Sequence, residues 1–379
     1  MNLSRSIDFL LDRGGPVTRY RLRREILRDL SPADEAALLE DIRQTPHFRL
    51  VETYRKPDGY IGIGMHSWDK FKETPLQDGE AAARLLSNYA IPADWPIVAD
   101  FIAALRNEET LRQEFSYYGP EMARFENRFR GLRNGAGLMV LVYACQAMLG
   151  RDDEALRPFI DVSYEAFRSM LDIGALEDIT VFNPNRRAKY NYPYLPEEVP
   201  FPCQYHLETL AYTRSWRTEE RVAELIRAIN HLHRIMKPDN IFNVKVGSQY
   251  VGPLWAYCRP FTPFTGAVEA QAAHRKTLTL LAMVGGDGVD VVRQTLDALE
   301  ELMAADGVLR VTFDTPYRKK CFRDSLHWPT PYAEIALEPS HRAEDMLWCE
   351  LTFWAVQLFH LAERNIFPEN AFLSGKSRL

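Results

Sequence analysis

No long apolar run occurs anywhere in the sequence, and a membrane-spanning helix needs roughly 18 such residues together. The opening MNLSRSIDFLLDRGG also lacks the apolar core and small-residue cleavage site of a secretory signal, so the expected location is the cytoplasm. Cysteine is scarce. The five residues Cys145, Cys203, Cys258, Cys321 and Cys349 are scattered and never form C-x-x-C, which excludes a disulfide framework and a zinc-finger site. A basic excess is missing too: 46 Lys and Arg stand against 52 Asp and Glu, giving a net charge of -6. Phosphate binding needs a concentrated basic face, so nucleic acid is not an expected partner. The chain contains no Gly-x-Ser-x-Gly elbow, no Gly-x-x-x-x-Gly-Lys loop and no Gly-x-Gly-x-x-Gly fingerprint. Nucleotide and nicotinamide chemistry are thereby set aside, and no cofactor or metal is expected.

What remains is ordinary globular composition, 46% hydrophobic and 26% charged, over 379 residues read as a single domain spanning 1–379. Aromatic residues make up 12%, above the usual level of about 8 to 9%. That excess is expected to line a cavity. The arginines Arg21, Arg23, Arg24 and Arg28 read as one solvated helix face with acids close behind.

Helical periodicity dominates. In 20–30 the apolar Leu22, Ile26 and Leu30 recur every four residues, and Ser31-Pro32 ends that helix while capping the next. Further helices are predicted over 78–90, 95–106, 136–149, 153–172, 204–214, 218–236, 267–284, 289–304 and 342–364. The fold class is therefore all-α. Three extended pieces interrupt it, each after a helix: KPDGYIGIG at 56–64, KPDNIFNVKV at 237–246 and AADGVLRVTF at 305–314. Gly or Asn after Asp permits the left-handed backbone that ends a helix, so the three junctions form a degenerate internal repeat. Repeated helix pairs that cannot bury both faces alone close into a ring, with loops gathered at one end.

These helix, Asp-Gly, aromatic junctions resemble the repeats of the α/α-toroid superfamily of squalene-type terpene cyclases and protein prenyltransferase β subunits, with Lys56-Pro57-Asp58-Gly59-Tyr60 the nearest match. The resemblance implies a single α/α toroid with short extended loops at the mouth of a central cavity. It also implies chemistry on a largely apolar small molecule. The family's catalytic motifs are absent: Thr312-Phe313-Asp314-Thr315 offers one aspartate where protonating cyclases carry Asp-x-Asp-Asp, and Arg151-Asp152-Asp153-Glu154 is a helix start rather than a magnesium motif. For the zinc of prenyltransferases the chain offers Asp345 and Cys349, with His341 and His360 on the same helix. A rise of 1.5 Å per residue separates His341 from Cys349 by about 12 Å, so this helix alone cannot make the site, and a histidine from elsewhere is needed. His231 and His233 point to different sides of one helix and read as structural.

Three clusters are candidates for chemistry. Asp58, His66, Trp68 and Asp69 share a glycine-rich loop, where a histidine near carboxylates suits a general base; capping and packing is the competing reading. The stretch 182–205 is long and proline-interrupted and carries Tyr190, Tyr192, Tyr194 and Tyr205, as a lid or cavity wall does. The segments 248–264, 310–320 and 327–332 bring Tyr250, Trp255, Tyr257, Arg259, Asp314, Tyr317, His327, Trp328 and Tyr332 towards the same mouth. Asp314, Asp58 and His66 are the expected catalytic groups and Arg259 the expected anion holder, with Trp68, Asp69, Tyr192, Tyr205, Tyr250, Trp255, Tyr257, Trp328 and Tyr332 as substrate contacts. Three readings follow. The first is a toroid enzyme using acid/base groups on a small, largely apolar molecule. The second is a carbohydrate-active (α/α) barrel, tested by the separation of Asp58 or Asp69 from Asp314. The third is a non-catalytic toroid that binds a ligand or a protein.

Overall fold

The computed structural model describes residues 3–66, 78–115, 130–182, 192–238, 240–254, 256–257, 261–266, 272–311, 337–338 and 344–363. Within them the helices begin where side chains can satisfy the free N–H groups of a first turn. Ser31 caps α3 (Pro32–Arg43), Thr45 caps α4 (Pro46–Thr53), Asp78 caps α5 (Gly79–Asn88) and Thr218 caps α11 (Glu219–Ile235), each accepting a backbone N–H inside its helix. The remaining helices are α1 (Ser4–Arg13), α2 (Pro16–Arg21), α6 (Pro96–Ala104), α7 (Glu108–Phe115), α8 (Met139–Met148), α9 (Arg157–Arg168), α10 (Gln204–Tyr212), α12 (Ala272–Gly285), α13 (Asp290–Leu302) and α14 (Glu344–Glu363). The protein is all-α, and most predicted helices lie within a few residues of their expected bounds. The exception is 20–30: α2 passes into a π-helical stretch, Leu22–Leu27, that stops at Arg28 with φ 57°. The short α1, α4 and α7 were not anticipated.

Burial sorts the helices into two kinds. In α5, α8 and α10 nearly every side chain is buried, whereas α11 buries only the stripe Val222, Leu225, Ala228, Ile229 and Leu232. A helix buried on all sides has neighbours on all sides; an amphipathic one faces solvent. The packing partners agree. Helix α5 lies on α8, α8 on α10, α10 on α12, α12 on α14, and α14 on α2 and its π-helical continuation. From that continuation and α2, Arg24 and Tyr20 reach the carbonyl of Ala90 just beyond α5, at 2.7 and 3.4 Å. Helices α9, α11 and α13 each pack on two members of that succession or on each other, and α1 lies along α14.

One small sheet interrupts the helices: β1 (Tyr194–Pro196) runs parallel to β2 (Asn243–Val246), which pairs antiparallel with β3 (Gln249–Val251). Of the three extended pieces, only the second forms a strand among the described residues. The first makes a single bridge, Arg55 to Ile61, because Gly59, Gly62 and Gly64 adopt φ of 87°, 107° and 70°, which no pleated strand tolerates. In the third, residues 308–311 form no strand.

The same Asp turn recurs at the first and third junctions, while Asp239 of the second lies outside the described residues. Asp58 Oδ1 accepts the N–H of Tyr60 at 3.0 Å, and Asp306 Oδ1 accepts that of Val308 at 3.1 Å. Gly59 and Gly307 both sit at positive φ, and each presses against a helix near it: a Cβ on Gly59 would lie 2.8 Å from the Asp100 carbonyl of α6, and one on Gly307 2.9 Å from Ser6 Oγ of α1. Replacing Gly59 by Ala combines left-handed strain with a backbone clash, so a loss of about 2 to 3 kcal/mol is expected in urea unfolding. A loss below about 0.5 kcal/mol would show that the turn relaxes freely.

Candidate functional site

The loop before α5 is held from both sides. Tyr60 is buried and its hydroxyl donates to the Gly64 carbonyl at 2.8 Å, while Gly64 N–H donates to Glu114 of α7 at 3.0 Å. Glu114 in turn takes the ammonium of Lys56 at 2.5 Å. The backbone of Gly64 and Met65 then accepts the N–H groups of Gly79 and Glu80, so the loop end is laid directly against the first turn of α5. That contact is what brings His66 to Glu80, with Nδ1 and Oε2 2.8 Å apart and both residues buried.

From this pair an ionic row crosses the interior. Arg84, one turn after Glu80, donates to Glu80 Oε1 at 2.6 Å and to Glu208 Oε1 of α10 at 2.8 Å; its relative exposure is 2%. Lys276 of α12 completes the row with Nζ 2.5 Å from Glu208 Oε1. The Tyr205 hydroxyl donates to Glu80 Oε1 at 3.1 Å, and the Arg84 guanidinium lies 6.0 Å from the Tyr205 ring centroid. Two carboxylates and two permanent cations therefore balance, with the imidazole of His66 at one end.

The environment sets the protonation. Burial opposes ionisation of Glu80, but Arg84 and then His66 outweigh it and hold the carboxyl below the usual range. Burial likewise disfavours the Arg84 charge, yet Glu208 and Glu80 keep it firmly protonated. Burial pushes the Glu208 carboxyl up to about 7, with Arg84 opposing and Glu80 adding to the rise; the nearby Lys276 ammonium favours the ionised form. Cys145 of α8 faces the same row, and burial followed by Glu80 keeps its thiol protonated, so it is no nucleophile.

Beyond the row, towards the short connections 88–96, 148–157 and 212–219, lies a cavity of about 240 Å³. Glu25, Ser87, Met148, Tyr212, Met283 and Gln357 all line it, one from each of the successive elements that follow one another around the interior. Lys276 lines it as well and so belongs to both cavity and row. Among these lining residues Tyr212 is the aromatic one, so this cavity is not the aromatic-walled space expected from composition.

The predicted site residues separate. His66 and Tyr205 come together on Glu80. Asp58 does not join them: it is exposed, with Oδ1 on the Tyr60 N–H and Oδ2 accepting from the Thr110 hydroxyl at 3.0 Å. The carboxylate at His66 is Glu80 instead. Tyr192 is 41% exposed, and Tyr250 packs edge-on against Tyr194 at 5.2 Å. Tyr257 is buried, stacked on His233 and 2.7 Å from its Nε2 through the hydroxyl, a packing role. Trp68, Asp69, Trp255, Arg259, Asp314, Trp328 and Tyr332 lie outside the described residues.

Of the possible zinc ligands, Asp345 and Cys349 lie one turn apart on α14, and His341 lies outside the described residues. Asp345 Oδ1 accepts its neighbour's N–H at 3.0 Å, and burial pushes the Cys349 thiol up to about 12. Among the described residues no three His, Cys, Asp or Glu side chains gather as metal ligands do. His231 binds the Ile173 carbonyl at 2.8 Å, a structural contact.

Glu80, Arg84, Glu208 and Lys276 were not singled out from sequence. A signal existed: GEAAARLLSN and QYHLETLAY place acids within helices that have no polar face to receive them. No family model, no curated protein and no solved structure matches this chain.

Proposed function

We propose that the chain is an enzyme built on an α/α toroid, performing acid/base chemistry on a small molecule at the N-terminal ends of its buried helices. The buried row His66, Glu80, Arg84, Glu208 and Lys276 carries this reading. Buried ion pairs add little or nothing to stability compared with apolar packing, so an interior that retains five such groups is better explained by use.

The toroid is supported by the succession α2, α5, α8, α10, α12, α14 and back to α2, each separated in sequence by solvent-facing helices. The Gly59 and Gly307 turns support it further: one packs on α6, and the other packs the end of α13 against α1, as closure of an outer layer requires. Glu80 and Tyr205 lie in the first turns of α5 and α10, and His66 is laid against the first turn of α5.

With Nδ1 donating to Glu80, the His66 imidazole carries its lone pair on Nε2 and acts as general base; Glu80 fixes the tautomer and stabilises the imidazolium once the proton arrives. The Tyr205 hydroxyl shares Glu80 and steadies it. The test is untargeted. A cell metabolite extract is incubated with the wild-type protein, His66→Ala and Glu80→Gln, and consumption is followed by mass spectrometry. Wild type is expected to deplete one compound class, with the His66→Ala rate down by about 10² to 10⁴ and a melting temperature within a few degrees of wild type. If nothing is turned over or retained, and His66→Ala chiefly destabilises, the pair is structural and the enzyme reading fails.

A further inference from the structure

The cavity beyond the ionic row plays no part in the chemistry assigned to His66. Seven residues of α5 separate Glu80 from Ser87, a rise of roughly 10 Å, and Arg84 with Glu208 stands between. We propose that this cavity is a second binding site, for a small uncharged amphipathic molecule.

The charge on its walls decides the class. Arg21 is paired with Glu25 through two hydrogen bonds of 2.9 and 3.0 Å. Arg24 donates to the Ala90 carbonyl at 2.7 Å and to the Tyr20 hydroxyl, and Lys276 is held by Glu208. Every buried charge on the wall is already matched. An anion or cation entering would lose its hydration without finding an opposite charge to replace it. A neutral polar group meets a different welcome, because Ser87 and Tyr212 hold adjacent hydroxyls and Gln357 offers an amide. Across from them Met148, Leu280 and Met283 give an apolar wall, and methionine adapts its shape to what it covers. A few polar groups converging on an apolar hollow is the usual composition of a small-molecule site. The exposed Asp94 at its rim marks where a ligand enters from solvent.

Methionine methyl spectra read this directly. The protein, labelled at its methionine methyls, is titrated with cyclohexanol, and separately with cyclohexanecarboxylate and cyclohexylammonium. Met148 and Met283 are assigned by Met148→Leu and Met283→Leu. Saturable shifts confined to these two are expected with cyclohexanol, with Met65 beside His66 and the buried Met303 at the end of α13 unmoved. The charged analogues should bind about tenfold more weakly or worse, and Ser87→Ala should weaken cyclohexanol severalfold. Unmoved methyls at saturating cyclohexanol, shifts centred on Met65, or equal binding of a charged analogue would each overturn the proposal. None of these outcomes depends on turnover at His66, so this inference and the proposed activity stand or fall separately.

Discussion

Replacing Arg84 by Met is expected to cost about 3 to 5 kcal/mol, the largest single loss available in the described interior. The side chain is 2% exposed and is the only cation of the row that bonds both carboxylates, Glu80 at 2.6 Å and Glu208 at 2.8 Å. Methionine fills similar space, so the cost is not a cavity. It is the desolvation of two acids left without their shared cation, with His66, Tyr205 and Lys276 as their remaining partners. For a chain of this size that corresponds to a fall of roughly 5 °C in melting temperature, read by scanning calorimetry at pH 7.5. The double variant Arg84→Met with Glu208→Gln removes one of the two stranded charges and should recover about half of the loss. A single-variant loss under about 1 kcal/mol would mean that the carboxylates take up protons or water without penalty. The row would then be a solvated channel rather than a dry lattice of charge.

The same residues explain what the sequence could and could not disclose. Most helix positions were legible because they rest on local signals: the Ser31 and Thr218 caps, the proline starts and the apolar spacing all act within one or two turns. The Asp-Gly repeat was legible for the same reason, since Asp58 and Asp306 close their turns with the residue two positions on. Of the proposed site, only His66 and Tyr205 were singled out from sequence. Glu80 and Glu208 lie 128 positions apart in sequence and meet only through Arg84, and no local rule says which buried helices become neighbours. Asp58 misled because a carboxylate beside Gly and near a histidine in sequence looks chemical; its oxygens are spent on the Tyr60 N–H and on Thr110. Tyr257 is a similar case, because an aromatic on a loop is indistinguishable in sequence from one stacked on a histidine of α11.

Mild acid is the second large lever, and two buried histidines set it. His206 lies in α10 beside the ionic row, its Nδ1 accepting the Cys203 N–H at 3.2 Å and its Nε2 donating to the Leu132 carbonyl at 2.7 Å. Both nitrogens are committed to the neutral ring, and burial pushes its pKa down to about 4. His233, stacked on Tyr257, is pushed by burial to about 4 as well, with Asp290 opposing weakly. In the unfolded chain each titrates near 6.5. Between 6.5 and 4 the unfolded state therefore binds protons that the native state refuses. Stability is fully present above 6.5 and drains away as pH falls through that window, by about 3 kcal/mol for each ring. Glu208 acts in the opposite sense over much of the same range, because a carboxyl with a raised pKa favours the folded state as acid is added. The wild-type slope is consequently shallower than the two histidines alone would give. A difference measurement isolates one of them. His206→Gln should be less stable than wild type by about 1 to 3 kcal/mol at pH 7.5, since glutamine cannot reproduce both ring hydrogen bonds. By pH 4.5 the gap should close or reverse in urea melts followed by tryptophan fluorescence, because the variant has no imidazole to protonate on unfolding. Parallel stability curves for the two proteins between pH 7.5 and 4.5 would show that His206 is protonated alike in both states, and that the acid sensitivity of the interior lies in the ionic row instead.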